Sequence, residues 1–418
     1  MDAQKVESWA ERVKKLVSSA GDEEARIETV PTKPLWRRVR KTGSELWLDT
    51  GDMEESSDLY CQEFSAFTTN NTLLQKEVKK GTYDELIARV AEALAGHLSE
   101  QHFILDTAFV LNAPHALRLA QRFNAMVSVE LHTDLAHDAD ASVAYARRYH
   151  EIAPDNFYIK VPFTPSGLVA VRRLSNEGIP VNCTLGFSAR QNYLIARVGR
   201  PEFVNVFLGR LNSFVADNDL GTGRMVGERA AIASHRTVSQ LRAQEETPSR
   251  QIAASMREGN QVLALAGISV LTMPTSVVRE FEEQDPPDES IVSRTGELPE
   301  VNSGMEVDGC QFGLQRLWDV PDNFKSAVDR LQKANIPALT GDQIREYFAD
   351  VDFPDVMPDW SETDVEAARQ QGKIPDYDYW KERLKRRKVG LDALMNLCGL
   401  HYFADAQQAM DERVRSLL

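Results

Sequence analysis

The chain has 418 residues, 42% of them hydrophobic and 27% charged, which is the balance of an ordinary globular protein. A formal net charge of −15 argues against nucleic acid or an anionic membrane as the main partner; an anionic small substrate fits only where a local basic site overrides the global field. Cys61, Cys183, Cys310 and Cys398 show no paired spacing, so they read as four reduced thiols with neither a disulfide framework nor a zinc site.

The N-terminal "MDAQKVESWAERVKKL" alternates charge at helical spacing and lacks the apolar centre of a signal peptide. No run is long enough to span a bilayer, and a cytoplasmic protein is expected. Residues 1–40 predict a charged helix followed by a linker, "VPTKPLWRRVRKTG". From about residue 45 to 275, short apolar runs alternate with helical patterns. The runs are "ELWLDT", "SAFTTN", "AMVSVEL", "FYIKVPF", "PVNCTLGF", "FVNVFLG", "RQIAAS" and "ISVLTMP". Among the helical segments, "YDELIARVAEALAGHL" carries Leu86, Ile87, Val90, Leu94 and Leu98 on one stripe, and "SGLVAVRRLSNEG" ends at Gly178. "HFILDTAFVLNA" is ambiguous: it reads as helix and loop, with a ninth strand as the rival. After about residue 285 the chain turns polar in "EEQDPPDESIVSRTGELPEVNSG", then becomes mostly helical with proline-broken loops such as "FPDVMPDWSETD". The last stretch, "GLDALMNLCGLHYFADAQQAMDERVRSLL", has a stripe suited to packing on the rest.

Eight strands alternating with helices predict an α/β fold, a (β/α)8 TIM barrel over residues 41–285. An N-terminal helical extension (1–40) would precede it, and a C-terminal loop and helical region (286–418) would pack on it.

Polar residues interrupt the apolar runs in phase. Strand side chains alternate with period two, so Asp49 shares a face with Trp47, Ser128 with Glu130, Lys160 with Tyr158, Asn182 with Thr184, Asn205 with Phe207 and Ser255 with Arg257. Each set lies toward the end of its run, and the C-terminal strand ends are where barrels of this type build their sites. A lone polar residue at a strand end is more often a solvated edge; in-phase residues on six strands point to one mouth. Lys160 is the costly one, because burying an ammonium is far more expensive than burying an amide. An amine flanked by the carboxylates Asp49 and Glu130 suits carbonyl chemistry: neutral amine attacks ketone to form a Schiff base, and the carboxylates move protons.

These residues resemble the transaldolase family. The matching blocks are "DTGD" (49–52), "TTNN" (68–71), "VSVEL" (127–131), "IKVPFTPSG" (159–167), "NCTLGFS" (182–188), "FLGR" (207–210) and "SMR" (255–257), in family order over roughly 45 to 280. The resemblance implies that Lys160 is the Schiff-base lysine, Asp49 the acid/base aspartate, and Glu130 with Thr184 the pair that holds the catalytic water. It implies that Asn70, Ser128 and Asn182 bind the dihydroxyacetone unit, and that Arg210, Ser255 and Arg257 bind phosphate, a role suited to the bidentate arginine fork. The implied reaction moves a dihydroxyacetone unit from a ketose phosphate to an aldose phosphate without metal or organic cofactor, in the pentose phosphate pathway or a specialised biosynthesis. Two departures stand out. Asn71 occupies a position where the family usually has proline, and Asn205 replaces a small hydroxyl near the substrate. In the related fructose-6-phosphate aldolases a tyrosine matches Phe207.

His132 and His137 follow Glu130 closely, but no third metal ligand appears at suitable spacing. "GTGRMVG" (221–227) reads as a loop, since no strand precedes it as in a dinucleotide fingerprint. "WKERLKRRKVG" reads as a solvated helix face. The expected partners are sugar phosphates, with the two extensions as homo-oligomer contacts or a lid. The alternatives are an aldolase of the same superfamily, which releases the three-carbon unit, and a non-catalytic barrel scaffold.

Overall fold

The computed structural model describes residues 16, 27, 29–94, 99–301 and 313–417. Eight parallel strands close into a barrel in sequence order. They are β1 (Glu45–Asp49), β2 (Phe64–Thr68), β3 (Met126–Glu130), β4 (Phe157–Pro162), β5 (Val181–Thr184), β6 (Phe203–Phe207), β7 (Arg250–Ala254) and β8 (Val270–Pro274). Seven fall within the apolar runs, and β2 starts one residue before its run, at Phe64. The pairing of β1 with both β2 and β8 closes the ring, and the intervening chain supplies the helical crossovers that parallel strands require. This is the (β/α)8 barrel expected from the sequence.

The ambiguous "HFILDTAFVLNA" lies inside one helix, Glu100–Phe123, which rules out the ninth strand there. Ser99 caps its start by accepting the His102 N–H, and Asn124 ends it in a left-handed conformation. Every residue from Ile104 to Ala116 is buried, so no polar face marks the helical period and a strand looks equally plausible from the sequence. The helix Asp84–Leu94 buries Leu86, Ile87 and Val90; Leu98 lies outside the described residues. The helix Pro165–Asn176 ends as read, with Gly178 at φ 75° just beyond it.

The linker assigned to the segment before β1 is corrected: Pro34–Lys41 is a helix. Proline suits the first helical position, and Arg38, Arg40 and Lys41 in the last turn complement the dipole. The helix buries Trp36 and Val39. Trp36 packs on Phe64 at 5.4 Å and Phe281 at 5.2 Å between ring centroids, and its indole N–H donates to Glu282 at 2.6 Å. Phe64 opens β2, so the helix seals the N-terminal end of the barrel. Of the predicted charged helix before it, Leu16 is described, and it is helical and buried; the rest lies outside the described residues, as does Cys310.

Inside the barrel, period-two alternation stacks side chains in layers. Trp47 lies parallel to Tyr158 at 5.4 Å, and both meet Phe203 edge-on, at 4.7 and 4.9 Å. These rings form a floor. Two residues further along the same strands come Asp49, Lys160 and Asn205.

Beyond residue 285 the described chain is mainly helical. The final helix, Leu391–Ser416, crosses the C-terminal face of the barrel. Asp392 accepts from Arg190 Nε at 2.8 Å and Nη2 at 2.7 Å and from the Ser188 hydroxyl at 2.6 Å. The Asn396 amide donates to the carbonyls of Phe163 at 2.9 Å and Leu185 at 2.8 Å, just past β4 and β5. At the far end Asp411 meets His132 at 3.2 Å. Among the described residues no helix is long and apolar enough to cross a membrane.

Trp36→Ala should cost about 3–5 kcal/mol of stability, the usual range for a buried tryptophan. Equilibrium urea unfolding measures it. A loss under ~1 kcal/mol, well below the range for such a cavity, would show that this helix does not belong to the barrel's cooperative unit.

Candidate active site

The C-terminal strand ends open into a cavity of about 170 Å³. Its wall includes Asp49, Asn70, Lys160, Asn182, Thr184, Asn205, Phe207, Arg210, Ser255 and Arg257. Two residues expected at the site, Ser128 and Glu130, do not line it. In the strand register Ser128 pairs with Tyr158, level with the aromatic floor, and Glu130 pairs with Lys160. Ser128 therefore lies one layer too deep; its hydroxyl accepts the Asn182 side-chain N–H at 3.0 Å. Glu130 stands beside the lysine and faces a water-sized space of about 10 Å³ shared with Asn112, His132 and Gln407.

Lys160 is 5% exposed. Its Nζ lies 3.5 Å from Glu130 Oε1 and donates to the Thr69 carbonyl at 3.3 Å. Glu130 is held in turn by the Asn71 backbone N–H, which reaches Oε2 at 3.0 Å, and the Asn112 amide donates to the Glu130 carbonyl at 2.9 Å. A proline at position 71 would have no N–H to give. The departure from the family pattern thus adds a donor to a buried carboxylate.

Asp49 enters from the other side. It accepts the Thr68 hydroxyl at 2.8 Å, and Thr68 also bonds Thr272 at 2.6 Å. Burial is the largest influence on its carboxyl and raises it above the ordinary value, against the opposing pull of Lys160 and Thr68. Asn182 and Asn205 are linked: Asn205 Nδ2 donates to Asn182 Oδ1 at 3.2 Å and to the Cys183 carbonyl at 3.1 Å. Asn70 caps the helix Asn71–Lys79 through the Leu73 N–H, at 3.0 Å.

The wall also carries two arginines, Arg210 and Arg257. Burial, then the neighbouring Arg257, lowers the Arg210 guanidinium to about 10. Its Nε and Nη1, the Ser255 hydroxyl and the Thr184 hydroxyl have no hydrogen-bond partner among the described residues. Buried polar atoms are nearly always satisfied, so unsatisfied ones grouped around a cavity mark where a ligand would bind. Ser255 and Arg257 reach the cavity by a route the alternation rule did not foresee. Strand β7 ends at Ala254, and Ser255 takes a left-handed φ of 67° that turns the chain inward. Gly209 permits the turn, since a Cβ there would lie 2.2 Å from the Ser255 carbonyl oxygen.

Sequence reasoning missed Thr272, Tyr402 and Phe403, all on the cavity wall. Thr272 was open to the same strand-phase reading as the others. Tyr402 and Phe403 were not, because only the final helix brings them there. His132 spends both ring nitrogens on hydrogen-bonding neighbours, Asp411 and the Asp134 N–H.

A cavity at the C-terminal mouth of a (β/α)8 barrel, with a buried lysine between two carboxylates, defines the class of protein. The family model described as transaldolase/fructose-6-phosphate aldolase matches residues 46–334. The transaldolase of Xanthomonas euvesicatoria pv. vesicatoria is 29% identical over 273 residues, 63% of this chain and 80% of its own. A probable transaldolase of Thermus thermophilus is 33% identical over 240 residues, 57% of this chain and 90% of its own. The chain belongs to the transaldolase/fructose-6-phosphate aldolase family.

The raised carboxyl of Asp49 has a consequence for stability. The native state holds that proton more tightly than the unfolded chain, so stability falls as pH rises from the ordinary aspartate value of 3.8 through the raised native one. Asp49→Asn mimics the protonated form. It should raise the melting temperature at pH 7, and the gain should vanish as pH falls below about 4. A lowered melting temperature at pH 7 would mean that attraction to Lys160 outweighs burial.

Proposed function

We propose that the chain transfers a dihydroxyacetone unit from a ketose phosphate to an aldose phosphate through a Schiff base on Lys160. One observation carries the reading: a lysine amine buried beside a carboxylate opens on a cavity whose wall also holds two arginines with no ion-pair partner among the described residues.

In this reading the neutral Lys160 amine attacks the ketose carbonyl, and loss of water gives the imine. Glu130 and Thr184 position that water, and the unpartnered Thr184 hydroxyl supports the assignment. Asp49 takes the proton from the hydroxyl on the far carbon of the bond to be cleaved, the carbon that becomes the aldehyde. The bond breaks, its electrons pass into the imine as an enamine, and the aldehyde half leaves. Addition of the enamine to an acceptor aldehyde reverses these steps. Asn70 and Asn182 hold the three-carbon unit, with Ser128 acting through Asn182 and Asn205 steadying it, while Arg210, Ser255 and Arg257 hold phosphate. Such a protein belongs in the cytoplasm, a placement supported by the three free, buried thiols of Cys61, Cys183 and Cys398.

Borohydride added with fructose 6-phosphate should fix a three-carbon adduct on Lys160, detected by peptide mass spectrometry. Lys160→Ala should abolish adduct and turnover while the circular dichroism spectrum is kept. An adduct on another lysine overturns the mechanism, and no adduct with any ketose favours the scaffold reading.

The family description also covers aldolases, so the fate of the enamine matters. Release requires a proton donor at the nucleophilic carbon. Phe207 offers only a phenyl ring at this wall, set 5.7 Å from Phe187 and 6.3 Å from Phe403 between centroids. Transfer should therefore dominate, with slow release of dihydroxyacetone when no acceptor is present, and Phe207→Tyr should shift the balance toward release. Both products are measured side by side; release as fast as transfer in the unmodified protein would make the aldolase reading the better one.

A further inference from the structure

The final helix lies outside the span matched by the family model, yet it closes the cationic side of the cavity. Asp392, Asn396, Gly399 and Phe403 recur at helical spacing, so one face of the helix meets the barrel. The approach is close: a Cβ at Gly399 would come within 2.9 Å of Leu185 and 3.0 Å of Arg210 Nη1. Arg210 is 4% exposed and lacks an ion pair among the described residues, and it is surrounded by rings. Its Cζ stands 5.2 Å from the Phe207 centroid, 5.2 Å from Tyr402 and 5.1 Å from Phe403. Electron-rich ring faces partly replace the hydration that a buried guanidinium has lost. Two of these rings come from the final helix.

Tyr402 differs from the other two rings in carrying a hydroxyl. The residue lines the cavity and is half-buried, and its hydroxyl makes no hydrogen bond to the described residues. Lys373 Nζ lies 5.9 Å from the ring centroid, so the ring stands near a second cation as well as Arg210. The Tyr402 ring lies against Arg210, and Arg257 lines the same cavity. The arginines present donors to an incoming anion there, and the phenol adds a neutral one.

We propose that Tyr402 is a substrate-binding residue whose hydroxyl donates to the phosphate held by Arg210 and Arg257, so that the final helix sets the preference for phosphorylated over unphosphorylated sugars. The inference rests on the sugar-phosphate reading above.

The test uses the full chain with Tyr402→Phe and Tyr402→Leu. Tyr402→Phe keeps the ring and removes one donor to a charged group, so KM for fructose 6-phosphate should rise about tenfold with kcat held. KM for unphosphorylated fructose should not move. Tyr402→Leu removes the ring as well and should weaken phosphorylated substrates further. Inorganic phosphate should raise the melting temperature of the unmodified protein more than that of Tyr402→Phe, a readout independent of turnover and of how well Tyr402→Leu folds. If the unmodified protein turns over fructose 6-phosphate and Tyr402→Phe matches it in KM and in phosphate response, this inference falls while the transfer reading stands. A fall in kcat with KM unchanged overturns it too, because the hydroxyl would then serve proton transfer. If the unmodified protein forms no imine, the transfer reading itself fails, and with it the assignment of Tyr402 to a sugar phosphate.

Discussion

A lysine amine cannot be placed inside a protein without partners, and much of this structure can be read as the provision of partners for Lys160. Glu130 stands 3.5 Å away and the Thr69 carbonyl accepts at 3.3 Å. A buried pair is precarious, since its attraction barely repays desolvation unless further hydrogen bonds fix the geometry. Those come from elements far apart in sequence. The first residue of one helix gives Glu130 a backbone N–H, and the long helix behind β3 gives its carbonyl an amide. Below, the rings of Trp47, Tyr158 and Phe203 fill the barrel, and the next layer up holds the polar groups.

The two carboxylates are not equivalent, and the difference has a structural cause. Glu130 is paired with the amine and receives a backbone donor. Asp49 has a hydroxyl donor from Thr68, and burial raises its carboxyl. Asn71 sharpens the contrast. It occupies the first position of its helix, where proline would fit without disturbing the backbone. The N–H there can thus be spent on Glu130 at little geometric cost.

The barrel and its lysine were legible because strands of a parallel barrel, covered on both faces, read as apolar runs against which one charged residue stands out. Asp49 and Lys160 declared themselves on that ground. Other features escaped for physical reasons. The helix Glu100–Phe123 hid its period by being buried all round through its middle turns. Trp36 hid behind flanking proline and glycine signals, although tryptophan and valine three residues apart already described one buried face. Ser128 was read on the correct face of β3 but belongs to the floor layer, because phase fixes direction and not depth. Ser255 and Arg257 line the cavity although the rule used to place them does not apply: the strand has ended, and a strained serine redirects the chain. Tyr402 and Phe403 left no local trace, because their place depends on Asp392 and Asn396 docking onto loops some 200 residues earlier, as the Asp392–Arg190 and Asn396–Leu185 separations of 202 and 211 show.

The cationic wall also reconciles a net charge of −15 with the anionic ligand proposed. At physiological salt, charges more than about 8 Å away through solvent are largely screened, whereas buried ones are not. Surface carboxylates therefore weigh little against Arg210, which is 4% exposed and lowered to about 10 by burial and by its neighbour Arg257. Burial and the like charge of Arg257 both weigh on Arg210, and an anionic group of the kind proposed would offset both. The aromatic rings make that state tolerable without neutralising it, as a carboxylate partner would. An arginine caged by rings keeps its charge available for the ligand. In this chain the cage is completed by a helix that the family's matched span does not include, and the same helix reaches the lysine, since Lys160 Nζ stands 5.6 Å from the Phe403 ring centroid.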